Sequence, residues 1–164
     1  MSAPATDPAA LRHVFGHVPS GVVTVAALGS AGPVGLLVAT FTPVSLEPAL
    51  VSVNIGRSSS TFPALRAQTH WGLSVLADHQ HDVADRFRLP SAQRFTDLDW
   101  TATEQGAVHV SGAVATLTAR PVQLVPAGDH VIAVLAVDDH RTDSGAPLVF
   151  HHSRFHRLEK EILR

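Results

Sequence analysis

The sequence predicts a mainly β protein with a few short helices, folded as an antiparallel barrel. Three observations carry this. Apolar runs of strand length recur along the chain, bounded by clusters of Gly, Pro and Ser. They follow one another without regular β-helix-β alternation, which argues against a doubly wound parallel sheet. And 164 residues, 45% of them hydrophobic, are enough for one well-formed core and too few for two, so residues 1–164 are expected to form one domain, with 1–8 as a flexible N-terminus.

Taken in order, Asp7 and Pro8 read as N-cap and first helical residue, with Leu11, Val14, Phe15 and Val18 at helical spacing and a stop near "VPSG". Strand-like runs follow at Val22–Leu28, Pro33–Phe41 and Ala49–Ile55, separated by "GSAG" and "PVSLEP", which have turn composition. Beyond Phe62 the pattern is helical. "WGLSVLA" then reads as a strand and "HQHDVADRFR" as a second short helix. From Leu89 to Gly106 the pattern fades into a polar loop. Long β runs resume at Ser111–Gly128, at "HVIAVLAVDDH" and at "APLVFHH", with Pro121 marking an edge position or a bulge. This gives roughly seven or eight strands and three short helices. Leu73, Val75, Val131, Ala133 and Leu135 are expected in the core.

Composition excludes several chemistries. There are 12 basic and 14 acidic residues, so no basic field exists for nucleic acid or an anionic membrane. The chain has no cysteine, which removes thiol nucleophiles, iron-sulfur clusters and disulfides. Its one lysine, Lys160, stands near the C-terminus, so Schiff-base or phosphate-loop lysine chemistry is not expected. No stretch approaches the roughly 18 apolar residues of a membrane span and no signal segment is evident, so a cytoplasmic location is expected. Chemistry falls to His, Asp, Glu, Ser, Thr and Arg, or to a cofactor.

Two stretches stand out. In "RSSSTFPALR", Arg57 and the hydroxyls of Ser58, Ser59, Ser60 and Thr61 lie between a strand and a helix start. With Thr61 as N-cap, the first N–H groups of the helix would face those hydroxyls, an arrangement suited to a phosphate monoester. The same residues also describe an ordinary capped turn. In "AGDHVIAVLAV", Asp129 and His130 sit where a turn enters a strand. A neutral imidazole there can donate to a ligand while the carboxylate fixes its tautomer, although "GD" is also a common hairpin dipeptide. Eleven histidines raise the question of a metal. His13 and His17 are one helical turn apart, and His151, His152 and His156 are close in sequence, but neither group has a carboxylate at zinc-enzyme spacing, so no metal centre is expected. There is no G-x-G-x-x-G, G-x-x-x-x-G-K-[ST] or G-x-S-x-G.

"FGHVPSGVVTVAA", "PVGLLVATFTPVSLEPALVSVNIGRSSSTFPALR", "WGLSVLADHQHDVADRF", "PAGDHVIAVLAV" and "APLVFHHSRFHRL" occur in that order. Together, from Phe15 to Leu158, they resemble the short-chain flavin reductases, the reductase components of two-component flavin monooxygenases. The resemblance implies a homodimeric, FMN-binding split β-barrel of Greek-key type, with flavin near the subunit interface. It implies that Asn54, Ile55, Gly56, Arg57, Ser58, Ser59, Ser60 and Thr61 run along the ribityl-phosphate side. Leu37, Val38, Ala39 and Thr40 would line the isoalloxazine ring, the loop carrying Ser20 and Gly21 would approach it, and Arg86 with Phe87 would add a further flavin contact. His130 would bind and position the nicotinamide dinucleotide, with Asp129 beside it.

The family commonly reads G-M-T-(V or A)-(S or N)-S-F where this chain has "GLLVATF" from Gly35 to Phe41. Leu37 and Ala39 thus replace polar residues, and Thr40 keeps a hydroxyl. Ser20 replaces a usual threonine and Phe155 a common tyrosine. The implied activity is hydride transfer from NADH or NADPH to FMN, with FAD as an alternative, and delivery of the reduced flavin to a separate flavin-dependent monooxygenase. Two other readings fit the residues: a non-catalytic binder of flavin or another planar ligand, and an oxidoreductase that keeps its flavin and acts directly on a small molecule.

Overall fold

Seven strands form one antiparallel sheet, and its curvature positions everything else. The computed structural model describes residues 7–159; of the flexible start expected at residues 1–8, residues 1–6 lie outside them, as does Lys160, whereas Asp7 and Pro8 are ordered as the cap and first residue of a helix. In chain order the elements are α1 (Pro8–Gly16), β1 (Ser20–Gly21), β2 (Val23–Gly29), β3 (Gly32–Val38), β4 (Thr42–Leu46), β5 (Ala49–Gly56), α2 (Phe62–Arg66), β6 (Trp71–Val75) and α3 (His81–Arg86). A 3-10 turn (Ser91–Gln93) follows, then β7 (Trp100–Ala102), β8 (Val108–Val110), β9 (Ala115–Ala127), β10 (His130–Thr142), β11 (Leu148–His151) and β12 (Arg154–Arg157). The large sheet has the order β3-β2-β6-β9-β10-β5-β4, β1-β11-β12 form a small sheet, and β7-β8 a hairpin.

The two edge strands of the large sheet, β3 and β4, are joined by residues 39–41 alone. Such a link spans at most about 14 Å, whereas seven flat strands would put the edges about 29 Å apart. The sheet therefore curls until β3 reaches β5. No strand pairing joins β3 to β4 among the described residues.

Inside the curl, Val23, Val25, Val53, Ile55, Leu73, Ala133 and Leu135 form the main core. Val75 and Val131, also expected there, are partly buried against it. The indole of Trp71 donates to the Leu65 carbonyl at 2.9 Å, fixing α2 over one end. A second cluster, with Val22, Ala26, Leu76, Phe87, Phe95, Val108 and Val110, covers the other side of β2 and β6. Both faces of β2 are thus buried, which is why it reads as an uninterrupted apolar run. Gly72 allows the layers to meet: a Cβ there would lie 2.1 Å from the Val108 carbonyl oxygen.

Asp7 caps α1 as expected, its carboxylate accepting from the N–H groups of Ala9 and Ala10. Several other expectations need correction. "PVSLEP" is largely the edge strand β4, with a register shift between Pro43 and Ser45. The polar stretch 89–106 contains the 3-10 turn and β7, and β12 lies in the polar "RFHR". Pro121 sits at a bulge, as expected: Gln123 pairs with Val134 and Pro121 with Leu135, leaving Val122 unpaired, just past the last β6 partner at Ala119. Among the described residues no helix is long and apolar enough to cross a membrane.

Candidate functional site

The gap at the curled sheet's corner is a cleft of about 300 Å³ lined by Leu36–Thr40, Asn54–Gly56, Ser59 and His130. Its first wall is the end of β3. There the Thr40 hydroxyl accepts from the Asn54 N–H at 2.9 Å and donates to the Asn54 carbonyl at 3.2 Å, pinning the β3 exit to β5. Leu37, Ala39 and this engaged hydroxyl make the wall apolar contact plus backbone.

The opposite wall is built by β5 and β10, where His130 pairs with Gly56, Val131 with Ile55 and Ile132 with Asn54. His130 follows the two-residue turn Gly128–Asp129, for Ala127 is its partner on β9. Gly128 takes φ +62°, as a hairpin turn of this length requires. The Asp129 carboxylate lies 2.7 Å from His130 Nδ1, leaving Nε2 as the nitrogen available on the cleft side. A methyl group on Gly56 would lie 3.9 Å from that Nε2. The hydrogen bond to His130, and then its charge, hold the Asp129 carboxyl below the usual carboxylate range.

The stretches that stand out in the sequence meet here. Arg57 N–H donates to the Asp129 carbonyl at 2.9 Å, and the Arg57 guanidinium reaches the Gly128 carbonyl at 3.4 Å, across 71 residues of chain. The loop from Arg57 to Thr61 departs from expectation in one respect. Ser59, not Thr61, supplies the capping oxygen, accepting from the Phe62 N–H at 3.3 Å. Thr61 is buried, and its hydroxyl accepts from Arg94 at 3.0 Å. Because α2 is a single turn, its dipole is small. What the loop offers an anion is its own donors: among the described residues the N–H groups of Ser58, Ser60 and Thr61 have no intramolecular acceptor, and the side chains of Ser58 and Ser60 are exposed.

Arg94 carries no recognisable pattern in the sequence. Its guanidinium donates to the carbonyls of Leu89 and Gly35, both at 2.9 Å, and to Thr61, joining the 89–94 loop, β3 and the start of α2. Partial burial lowers its pKa from the ordinary arginine value without removing its charge at neutral pH. Other expected site residues lie outside the cleft. Ser20 and Gly21 pair with Phe150 and Val149 in the small sheet. Phe87 is buried edge-on to Phe95 at 5.5 Å, and Arg86 donates to the Thr96 carbonyl. A larger cavity of about 740 Å³, between the β7–β8 hairpin and the far ends of β9 and β10, holds none of the expected residues. The smaller cleft is therefore the candidate site, because there an apolar wall, an anion-suited loop and an oriented imidazole converge.

Residues 15–159 match the flavin reductase like domain. The chain belongs to that family. It is 34% identical over 145 residues to the NADH:FMN oxidoreductase of Rhodococcus qingshengii, covering 85% of this chain and 76% of that protein. It is 35% identical over 156 residues to the actinorhodin polyketide dimerase of Streptomyces coelicolor, covering 94% and 88%. Among solved structures, the NADH:FAD oxidoreductase SgcE6 of Streptomyces globisporus C-1027 superposes on this flavin reductase-like chain with a TM-score of 0.87 at 33% identity, over 98% of this chain and 100% of that one. The same protein in complex with NAD and FAD fragments gives 0.89.

The cleft volume is at the low end for small-molecule sites, about 300–1,000 Å³.

Proposed function

We propose that this chain is an NAD(P)H:flavin oxidoreductase that reduces FMN, or FAD, and supplies it to a separate flavin-dependent monooxygenase. The observation that carries this reading is the direct contact of the Arg57–Thr61 loop with the Gly128–His130 turn at the rim of one cleft. A flavin held there supplies two-electron redox chemistry, accepting a hydride from the reduced nicotinamide.

The chain's own residues bind and orient. Leu37, Val38, Ala39 and Thr40 give the ring a flat surface, with Asn54, Ile55 and Gly56 along its edge. Ser58, Ser59, Ser60 and Thr61, with Arg57, provide N–H, hydroxyl and guanidinium donors to the phosphate. His130, held by Asp129, presents Nε2 to the nicotinamide dinucleotide, so its contribution is proximity and alignment of two substrates. Names among the relatives support both halves of the proposal: FMN reductase (NADH) SmoA of Agrobacterium fabrum and the reductase component of a trigonelline monooxygenase from Acinetobacter baylyi.

We further read the fold as a split β-barrel acting as a homodimer in the cytoplasm, where reduced nicotinamide is supplied, with all of residues 1–164 in one domain. Ser20, Gly21, Arg86 and Phe87, away from the cleft of one chain, are assigned to flavin contact on the resemblance. Val14 and Phe15 at the end of α1, and Val18 just beyond it, 59–69% exposed, offer apolar surface to a second copy.

The test is anaerobic stopped-flow mixing of protein, flavin and NADH or NADPH, following flavin bleaching. His130→Ala should raise the KM for the nicotinamide at least about tenfold with little change in flavin affinity; an unaltered nicotinamide dependence refutes the assignment. One relative is named for polyketide dimerisation and not for flavin reduction, which favours a second reading in which a small molecule reacts directly at the site. Yellow protein that keeps its flavin through gel filtration would select that reading.

A further inference from the structure

We propose that one divalent transition-metal ion of the imidazole-binding class, Zn²⁺, Ni²⁺ or Cu²⁺, binds between the end of α1 and the β11–β12 turn, held by His17 and His152 with His13 as third ligand. The sequence separates these residues by up to 139 positions (152 − 13). The fold brings them together on a surface away from the cleft, whose lining includes none of them.

The backbone sets the arrangement. His152 N–H donates to the Gly16 carbonyl at 3.0 Å, seating the β11–β12 turn on the last residue of α1. His152 has φ +47°, a left-handed conformation that a side chain rarely adopts, and it aims this ring at α1. His152 Nε2 is then hydrogen-bonded to His17 Nδ1 at 3.2 Å, a contact that a bound ion would replace. Two nitrogens bound to one tetrahedral ion at about 2.0–2.1 Å are separated by about 3.3 Å, so the pair already stands at the spacing of cis ligands.

His13 stands one turn before His17, the residue that caps the C-terminus of α1. The ring-centre separations are 5.3 Å for His13–His17, 4.2 Å for His17–His152 and 6.2 Å for His13–His152. Three imidazoles on one tetrahedral ion have ring centres about 5 Å apart. As the side chains stand, no three donors meet at one point among the described residues. The missing element is an inward turn of His13, an exposed side chain free to change rotamer. His156 is set apart, its Nε2 lying 3.2 Å from the His151 carbonyl oxygen.

A donor set of three imidazoles without thiolate selects borderline transition metals over Mg²⁺ or Ca²⁺, and leaves a coordination position for water. The ion would cross-link α1 to β11, the strand that pairs with β1.

The test uses the full chain without a polyhistidine tag, titrated calorimetrically with Zn²⁺ and with Ni²⁺, with Cu²⁺ bound for electron paramagnetic resonance. Expected are saturable binding of one ion per chain, nitrogen hyperfine structure on Cu²⁺, and a rise in the unfolding temperature with Zn²⁺. His17→Ala and His152→Asn, the latter tolerant of the left-handed backbone, should each weaken binding at least about tenfold, while His156→Ala leaves it unchanged. Absence of saturable binding, or binding that survives His17→Ala, overturns the proposal. If His152→Asn does not fold, His17→Ala and His13→Ala on the exposed helix decide it.

Discussion

Replacing Arg94 by methionine tests how the cleft's walls are joined. The substitution keeps an unbranched side chain and removes the guanidinium that donates to Leu89, Gly35 and Thr61. Gly35 and Thr61 are buried, so their oxygens lose a partner where water enters poorly, whereas Leu89 is exposed and recovers one. Hydrogen bonds to a charged donor contribute about 1.5–3 kcal/mol each when desolvated. Discounting for a guanidinium only partly removed from solvent, the loss is about 2–4 kcal/mol. For a chain of this size that lowers the unfolding temperature by about 5–12 °C. Arg94→Lys should recover less than half, because an ammonium cannot reproduce the planar fork. Thermal unfolding followed through the buried Trp71, with circular dichroism as second probe, reads the effect. Flavin titration of the folded variant should show affinity reduced about tenfold, as both β3 and the Thr61 turn lose a fixed anchor. An unfolding temperature within about 2 °C of the parent would refute the reasoning.

Thr40→Val should cost about 1–3 kcal/mol and weaken flavin binding, since it leaves the N–H and carbonyl of Asn54 without the hydroxyl they share; urea unfolding and fluorescence titration check both. Gly72→Ala should prevent folding or lower the unfolding temperature by more than about 10 °C, because its Cβ would meet the Val108 backbone, which cannot move aside as a side chain would. Leu37→Thr combined with Ala39→Ser returns polar side chains to the β3 wall and should tighten flavin binding several-fold, read by quenching of flavin fluorescence. The Asp129 carboxyl is lowered by its bond to His130, so this pair's stabilisation is complete above the ordinary carboxylate value of 3.8 and disappears as pH falls through the lower folded value. The nicotinamide KM should therefore show no carboxylate titration between about pH 5 and 8, and Asp129→Asn should raise that KM without introducing one.

Much of the strand framework was legible because burial on both faces writes it directly into the sequence, as at Val22–Leu28. Short or polar strands were not. β4 begins Thr42-Pro43, and a proline there is tolerable because an edge strand has one side free of partners, so turn composition concealed a real strand. β7, β8 and β12 span three or four residues, too few for a period to emerge. In the cleft, Ser59 and His130 were visible as residue types at plausible junctions. Their convergence depends on β5 pairing with β10 and on Arg57 reaching the Asp129 carbonyl, long-range contacts that no local pattern encodes. Arg94 was invisible for the same reason: it acts on carbonyls supplied by other parts of the chain.

The engagement of Thr40 with Asn54 bears on selectivity. With that hydroxyl turned back onto the protein, and with Leu37 and Ala39 beside it, the wall offers apolar surface and few side-chain hydrogen bonds. Such a surface favours guests whose contact face is apolar over guests that need polar partners there. In the proposed site riboflavin, FMN and FAD would meet this wall with the same tricycle and differ only toward the serine loop, so discrimination among them would fall to that loop.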